Sequence, residues 1–351
     1  MKARYAFLNQ GVLPVTFWSD NSRAFTHQSY PLWVPFSELW LYLWMGEANQ
    51  FWIKTLFPLF YIAGVILLAS FVSRITGRRW LGLLAAFFLY FIPCLTTAPG
   101  GVQSGYVDVP IGMIYLATVG YLLRQTEKFS PGDWRLFALC LALLPWAKRE
   151  GAILWLIAAA CGAFIIWRGG YSRRALLWLI PGPALIIAWK VFCTAMGKGP
   201  GTEFIPLTWT NLMQNSPRIL PIAGHVVEEM LLINRWNLFW PILALSLAAL
   251  ALRARDRRFF ILLVAVTAPI FAYAGTYMLS NWPSWSGHMD ASLSRLLLHV
   301  LPVGWLAIAL AARPPEAACD FLWCLLWVSA PKTEPAGAFD RDSRFTPRTI
   351  I

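Results

Sequence analysis

Charged residues are scarce in this sequence. Asp, Glu, Lys and Arg make up 13% of its 351 residues, whereas a soluble globular domain has about 25%. Hydrophobic residues make up 58%, and the 20 tryptophans suit the aromatic belts that flank membrane helices. This composition excludes a cytosolic enzyme and a disordered protein, and it indicates an integral membrane protein.

Sequence motifs for metals, nucleotides and activated nucleophiles are also missing. The six cysteines form no CxxC pair, and most lie in apolar runs, where Cys behaves as a small hydrophobe. The sequence contains no GxSxG, HExxH, Walker A or GxGxxG pattern. The net charge of +12 is the one feature that favours a nucleic-acid partner. Membrane proteins accumulate such charge in cytoplasmic loops, so we expect no nucleic acid.

Nine apolar segments predict a polytopic, all-α membrane bundle, because a spanning helix needs about 20 apolar residues. They are residues 50–73, 80–97, 105–123, 135–147, 151–167, 175–195, 237–252, 259–279 and 296–312. The fourth is short and interrupted by Pro145. Residues 33–45 predict an interfacial or juxtamembrane helix. We therefore expect a membrane domain over residues 1–312 and a polar, cytoplasmic, largely disordered tail over 313–351.

The positive charges predict which loops face the cytoplasm. Thirteen Lys and Arg residues lie in four short loops, and five lie in the longer alternate loops. Since positive charge resists translocation, the first set is predicted to be cytoplasmic. The first set comprises the loops near residues 74–79, 124–135, 168–174 and 253–258; the outward set comprises 98–104, 148–150, 196–236 and 280–294.

Asp108 is the sharpest candidate for a functional residue. It lies at the predicted outward start of an apolar helix that otherwise carries no charge. A carboxylate at membrane depth is costly and marks a functional site by default. The alternative is a first-turn acid stabilised by the helix dipole. Asp108 is also a candidate metal ligand, alone or with His288 and Asp290.

Cations and histidines lie on the same predicted face. The turn Lys148-Arg149-Glu150 suits a lipid phosphate, with Glu150 orienting Lys148; the alternative is a solvated turn that keeps two helices apart. Arg295, after the Trp-rich loop 281–290, can bind a phosphate bidentately or anchor the helix at the interface. His27 is a candidate ligand or base, although a lone His is more often structural.

Four motifs follow one another along the chain: Tyr30-Pro31-Leu32, Gly105-Tyr106-Val107-Asp108-Val109-Pro110, Lys148-Arg149-Glu150-Gly151, and Ser294-Arg295-Leu296-Leu297 before Pro302. In this order they resemble the GT-C superfamily of membrane glycosyltransferases, which includes the protein O-mannosyltransferases and the lipid A aminoarabinose transferase. The resemblance covers about residues 1–312.

The resemblance implies an extracytoplasmic active site in a bacterial-type inner membrane. It implies a polyprenyl-phosphate-sugar donor, membrane lipids around the chain, and a glycan, lipid or protein acceptor. A divalent cation, Mg or Mn, or fixed cations would stabilise the leaving phosphate. By the resemblance, Asp108 and Asp20 are the catalytic candidates, Asp108 is a candidate metal ligand, and Lys148 and Arg295 are candidates for binding the donor phosphate. Further candidates for substrate binding are Glu150, Tyr30, His27 and His288.

In such enzymes a first helix and an acidic loop precede a segment like Lys2-Ala3-Arg4. We therefore expect that part upstream of this sequence, with Asp20 as the remaining acid of the first-loop segment.

Two other functions stay open on the sequence. A transporter or flippase of a lipid-linked or anionic solute would more often show internal repeats and broken mid-membrane helices, and we find no repeat. A non-catalytic scaffold predicts that Asp108, Lys148 and Arg295 lie far apart. An enzyme predicts that they converge on one outward cavity.

Overall fold

The computed structural model describes residues 1–97, 100–199, 203–253 and 256–312. The predicted tail, residues 313–351, lies outside the described residues. All cysteines that the structure describes are free thiols, and three of the four are buried.

The described chain consists of helices joined by short loops, so the predicted all-α class is confirmed. Within the described ranges the β-type pairing is one antiparallel bridge between Phe204 and Ser280. The α-helices in chain order are α1 Lys2–Leu8, α2 Val15–Ser19, α3 Trp33–Met45, α4 Leu56–Thr76, α5 Arg79–Leu89, α6 Pro93–Thr96, α7 Asp108–Arg124, α8 Pro131–Ala147, α9 Gly151–Gly169, α10 Pro181–Ala195, α11 Trp209–Gln214, α12 Ile219–Met230, α13 Ile233–Trp236, α14 Phe239–Ala251, α15 Arg257–Tyr277 and α16 Trp285–Ala311.

Five continuous helical segments of the described chain are long and apolar enough to cross a membrane. They are Trp52–Thr76, Gly151–Gly169, Arg173–Ala195, Arg257–Tyr277 and Trp285–Ala311. Two further apolar helices, α5 and α14, are shorter. The structure thus supports a membrane protein with several spans, and the count of nine stays a prediction.

Two predicted helix bounds were wrong. The segment 80–97 is not continuous, because α5 ends at Leu89 and Pro93 begins the separate short helix α6. Proline has no N–H to continue a helix and restricts the residue before it. The last helix begins at Trp285 rather than at residue 296. Ser284 caps this start, because its side chain accepts a hydrogen bond from the Gly287 amide. Pro145 lies inside α8, which continues to Ala147.

Helices α7 and α16 form the centre of the bundle. Nearly every residue of α7 is buried, and it packs against α4, α8 and α16. Gly112 allows the close contact with α16, because a Cβ there would lie 2.9 Å from the Leu298 carbonyl oxygen. This packing places the first turn of α7 beside residues 295–299 of α16.

The loops sort to two opposite ends of the helices. Two contacts join different predicted cytoplasmic loops: Arg258 pairs with Glu127 at 3.2 Å, and Arg257 donates to the Arg168 carbonyl at 3.4 Å. Within the loop 124–135, Arg124 pairs with Asp133 at 2.9 Å. We call this region, which also holds Arg74, the basic end. The polar end contains Asp108, Lys148, Glu203 and Arg295, and the alternation of loops matches the prediction from charge.

The contact at Gly112 yields a stability test. Gly112→Ala places a methyl group against backbone of α16, and such overpacking costs about 1–3 kcal/mol. We expect a lower melting temperature of the detergent-solubilised chain, followed by tryptophan fluorescence. Gly275→Ala is the matched control, because it gains the same helix propensity and its Cβ meets nothing within 4 Å. Equal melting temperatures for the two variants would contradict the tight α7–α16 contact.

Candidate functional site

A fully buried carboxylate, Asp108, is the centre of the polar end. Its Oδ1 accepts a hydrogen bond from Lys148 Nζ at 2.7 Å, and its Oδ2 accepts one from Arg295 Nε at 2.8 Å. His299 Nε2 lies 3.0 Å from Oδ1. The structure therefore brings together Asp108, Lys148 and Arg295, and it adds a histidine. We call these four residues the Asp108 cluster.

Three separate elements position the Asp108 cluster. Asp108 is the first residue of α7, and Lys148 directly follows α8. Arg295 and His299 are one turn apart on α16, so they share a face. The turn that carries Lys148 is tight at Gly151, where a Cβ would lie 1.9 Å from the Leu144 carbonyl oxygen. A larger residue at 151 would displace the lysine.

The Asp108 cluster continues inward to a tyrosine. Tyr273 Oη lies 3.1 Å from His299 Nδ1, and both side chains are buried. Tyr273 thus forms a hydrogen bond with the ring nitrogen of His299 that does not face Asp108. This second contact fixes the orientation of the imidazole. Buried charges are tolerated only when they are paired and hydrogen-bonded, and the Asp108 cluster meets that condition.

Glu150 adds a second carboxylate next to the same lysine. Its Oε1 lies 3.4 Å from Lys148 Nζ. Its Oε2 is buried and has no hydrogen-bond partner among the residues that the structure describes. Glu150 therefore has one oxygen that accepts no hydrogen bond from the described residues, whereas both oxygens of Asp108 accept at least one.

A second set of contacts surrounds Arg149. Its guanidinium lies over the Tyr30 ring, 5.0 Å from the centroid, and its Nη2 donates to Ser29 Oγ. Glu203 lies 4.0 Å from Arg149 and 3.7 Å from the His27 ring nitrogen. The predicted residues Tyr30 and His27 thus belong to the polar end, held there by Arg149 and Glu203.

Lys2 holds the loop that carries Tyr30. Its Nζ donates to the carbonyls of His27 at 2.9 Å and of Tyr30 at 3.1 Å. Burial lowers the pKa of Lys2 to about 8. Burial also raises the pKa of the Tyr30 hydroxyl, and the charges of Glu150 and Glu203 raise it further. Tyr30 is therefore neutral at physiological pH and available as a hydrogen-bond donor.

His288 lies at the edge of the polar end. Its Nδ1 is 2.9 Å from Ser280 Oγ, and its ring stacks on Trp282 with centroids 4.5 Å apart. The Asn281 amide donates to the Glu203 carbonyl at 2.9 Å, which joins this loop to the Arg149 contacts. The predicted Trp-rich loop, which contains His288, is therefore tied to the polar end.

Asp20 does not join the Asp108 cluster. Its carboxylate accepts hydrogen bonds from the Ser22 amide at 2.9 Å and from Arg23 Nε at 2.7 Å. The Ser22 hydroxyl and Arg23 hold the pKa of Asp20 below its usual value. Its side chain caps the turn Asn21–Thr26, so these contacts support a local structural role.

The predicted metal ligands do not assemble. Asp290 pairs with His225 at 3.0 Å, and His288 contacts Ser280. Within the described ranges no three His, Cys, Asp or Glu side chains form a group that could hold a metal. Both oxygens of Asp108 already face cationic donors, so the residues present do not fit a divalent ion there.

Sequence reasoning missed His299, Tyr273 and Glu203 as site residues. His299 is an ionisable residue inside an apolar helix, four residues after Arg295, and this spacing was a readable signal. Glu203 and Tyr273 approach the site through tertiary packing, which no local pattern encodes.

The comparisons with known proteins identify no relative. The sequence matches no family model, no curated protein and no solved structure.

The ion pairs of Asp108 predict a large loss of stability on its neutralisation. Asp108→Asn removes the nearer of the two carboxylates beside buried Lys148, and breaking such a buried pair costs about 3–5 kcal/mol. We expect a strongly lowered melting temperature, partly restored by the double variant Asp108→Asn, Lys148→Met. Glu127→Gln, which breaks the exposed pair with Arg258, is the control and costs less than about 1 kcal/mol. Equal effects of the two single variants would rule out a dominant role for the Asp108 cluster.

Proposed function

We propose that the chain is a membrane glycosyltransferase that moves a sugar from a polyprenyl-phosphate donor to an acceptor hydroxyl at the polar end. The observation that carries the proposal is the convergence of Lys148 and Arg295 on one buried carboxylate, with Arg149 next in the chain. Cations held in fixed positions are what a leaving phosphate requires. The resemblance to the GT-C superfamily adds the donor class.

Lys148, Arg149 and Arg295 differ in exposure, and we assign them different roles on that basis. Lys148 is almost fully buried, whereas Arg149 and Arg295 keep 33% and 28% of their side-chain surface exposed. The two arginines are thus able to contact a phosphate from outside the bundle. Arg295 also lies 4.3 Å from the Tyr106 ring centroid, which orients its guanidinium.

In the proposed reaction the acceptor oxygen attacks the sugar C1 and inverts the anomeric centre. The bond between C1 and the donor phosphate oxygen breaks, and the electron pair leaves with the lipid phosphate, whose charge faces Arg295 and Arg149. The acceptor proton moves to a carboxylate. We assign this step to Glu150, because its side chain keeps 25% of its surface exposed, whereas that of Asp108 keeps none.

Asp108 has another proposed role. Asp108 is fully buried, and its two oxygens accept hydrogen bonds from Lys148 and Arg295, so it is shielded from an acceptor hydroxyl. We assign Asp108 to holding Lys148 and Arg295 in place. A polar end that faces the extracytoplasmic side of an inner membrane agrees with the distribution of basic loops.

The transporter alternative has less support from the same contacts. Transported ions and solutes bind near the bilayer midplane between repeats. Here the Asp108 cluster lies at the start of α7, and Arg149, next to Lys148, contacts the loops at residues 27–30 and 203. An ion network tied to one set of loops favours chemistry at a membrane surface.

Transfer from a defined donor tests the proposal. The full chain, reconstituted in nanodiscs, is given undecaprenyl-phosphate monosaccharides carrying a labelled sugar, with membrane extract as the acceptor source. We expect undecaprenyl phosphate release and label transfer. Glu150→Gln is expected to lower turnover by about 10²–10⁴-fold, the usual contribution of a general base, with donor binding retained.

Arg174→Gln, at the basic end, is the control and is expected to leave turnover unchanged. A folded chain that binds no undecaprenyl-phosphate sugar would overturn the proposal. Movement of the intact labelled lipid across the bilayer without sugar transfer would favour the flippase.

A further inference from the structure

The basic end contains two adjoining clefts that the proposed function does not use. One has a volume of about 520 Å³ and lies between the ends of α4, α7 and α8. The other, of about 500 Å³, lies between α4 and α5. Arg74 lines both clefts and therefore stands between them. Each volume is within the range of small-molecule pockets, about 300–1,000 Å³.

The charges that line these clefts are not balanced. In the first cleft Arg124 pairs with Asp133, and Glu127 pairs with Arg258. The cationic groups of Arg74, Arg79 and Lys128 form no ion pair with any residue that the structure describes. Three side-chain cations thus face the two clefts without a counter-charge.

Hydroxyl and apolar groups complete the lining. Ser70 and Ser73 line the cleft beside Arg79, and Ser130 lines the cleft beside Lys128. Phe129 and Leu83 add apolar surface, one in each cleft. Cations beside serine hydroxyls suit a phosphate group, while the adjacent apolar surface suits the glycerol and the first carbons of an acyl chain.

The position of Arg74 decides between a lipid and a free ion. It lies in the last turn of the apolar segment Trp52–Thr76, which is long enough to cross the bilayer. Its guanidinium is therefore at the depth where lipid headgroups lie. Basic pockets between membrane helices at this depth bind anionic headgroups.

We propose that the two clefts, bridged by Arg74, bind the phosphate-bearing headgroup of an anionic phospholipid from the leaflet that the basic end faces. This site is separate from the Asp108 cluster, and it does not depend on the proposed glycosyltransferase activity. The phosphate of a bound lipid would supply the counter-charge for Arg74, Arg79 and Lys128.

The retention of lipid by the purified chain tests whether the two clefts bind an anionic phospholipid. The full chain is purified in detergent, mixed with phosphatidylglycerol or phosphatidylcholine, and examined by native mass spectrometry. We expect retained phosphatidylglycerol and little retained phosphatidylcholine. In the triple variant Arg74→Gln, Arg79→Gln, Lys128→Gln, affinity for phosphatidylglycerol is expected to fall on the order of 100-fold, about fivefold for each cation near a membrane surface.

A matched variant separates a built site from general attraction to negative charge. Arg168→Gln, Arg173→Gln, Arg174→Gln removes three exposed cations from the same end, outside both clefts. It is expected to retain phosphatidylglycerol, and melting temperatures verify that both variants are folded. Equal losses in the two variants would overturn the proposal. So would unchanged binding by the cleft variant, or displacement of the lipid by millimolar inorganic phosphate.

Discussion

The buried carboxylate of Asp108 is the constraint on which the polar end depends. An unpaired charge at this depth costs several kcal/mol, so Asp108 is stable only with Lys148 and Arg295 within hydrogen-bond reach. These three residues lie on the start of α7, the turn after α8 and the third turn of α16. Their pairing therefore fixes how the three elements meet. Gly112 permits the close contact of α7 with α16, because it has no Cβ to meet the Leu298 carbonyl oxygen.

The two ends of the bundle use positive charge differently. At the polar end, Lys148 and Arg295 are held by a carboxylate, and Arg149 is held by Ser29, Tyr30 and Glu203. Such cations are preorganised, which suits the stabilisation of charge that develops during a reaction. At the basic end several cations stay in solvent beside open clefts, which suits a negatively charged surface.

Local sequence patterns predicted the helices better than their ends. The segment 33–45 matches α3, and the apolar run from residue 151 matches the start of α9. The pattern failed where a proline or a cap decides the bound. Pro93 separates α6 from α5, and Ser284 starts α16 eleven residues before the apolar run at 296. Because Trp285 to Arg295 is mixed in polarity, hydropathy alone does not recognise it as helix.

The sequence by itself determined the membrane class, the alternation of basic loops, and the candidacy of Asp108, Lys148 and Arg295, because these follow from composition, charge counts and single ionisable residues in apolar surroundings. Tertiary structure decided which of the candidates meet. It joined His299 and Tyr273 to Asp108, left Asp20 with Arg23, and gave the predicted metal ligands separate partners. The physical reason is that these contacts join residues up to 191 positions apart, and helix packing, rather than any local periodicity, determines which faces come together.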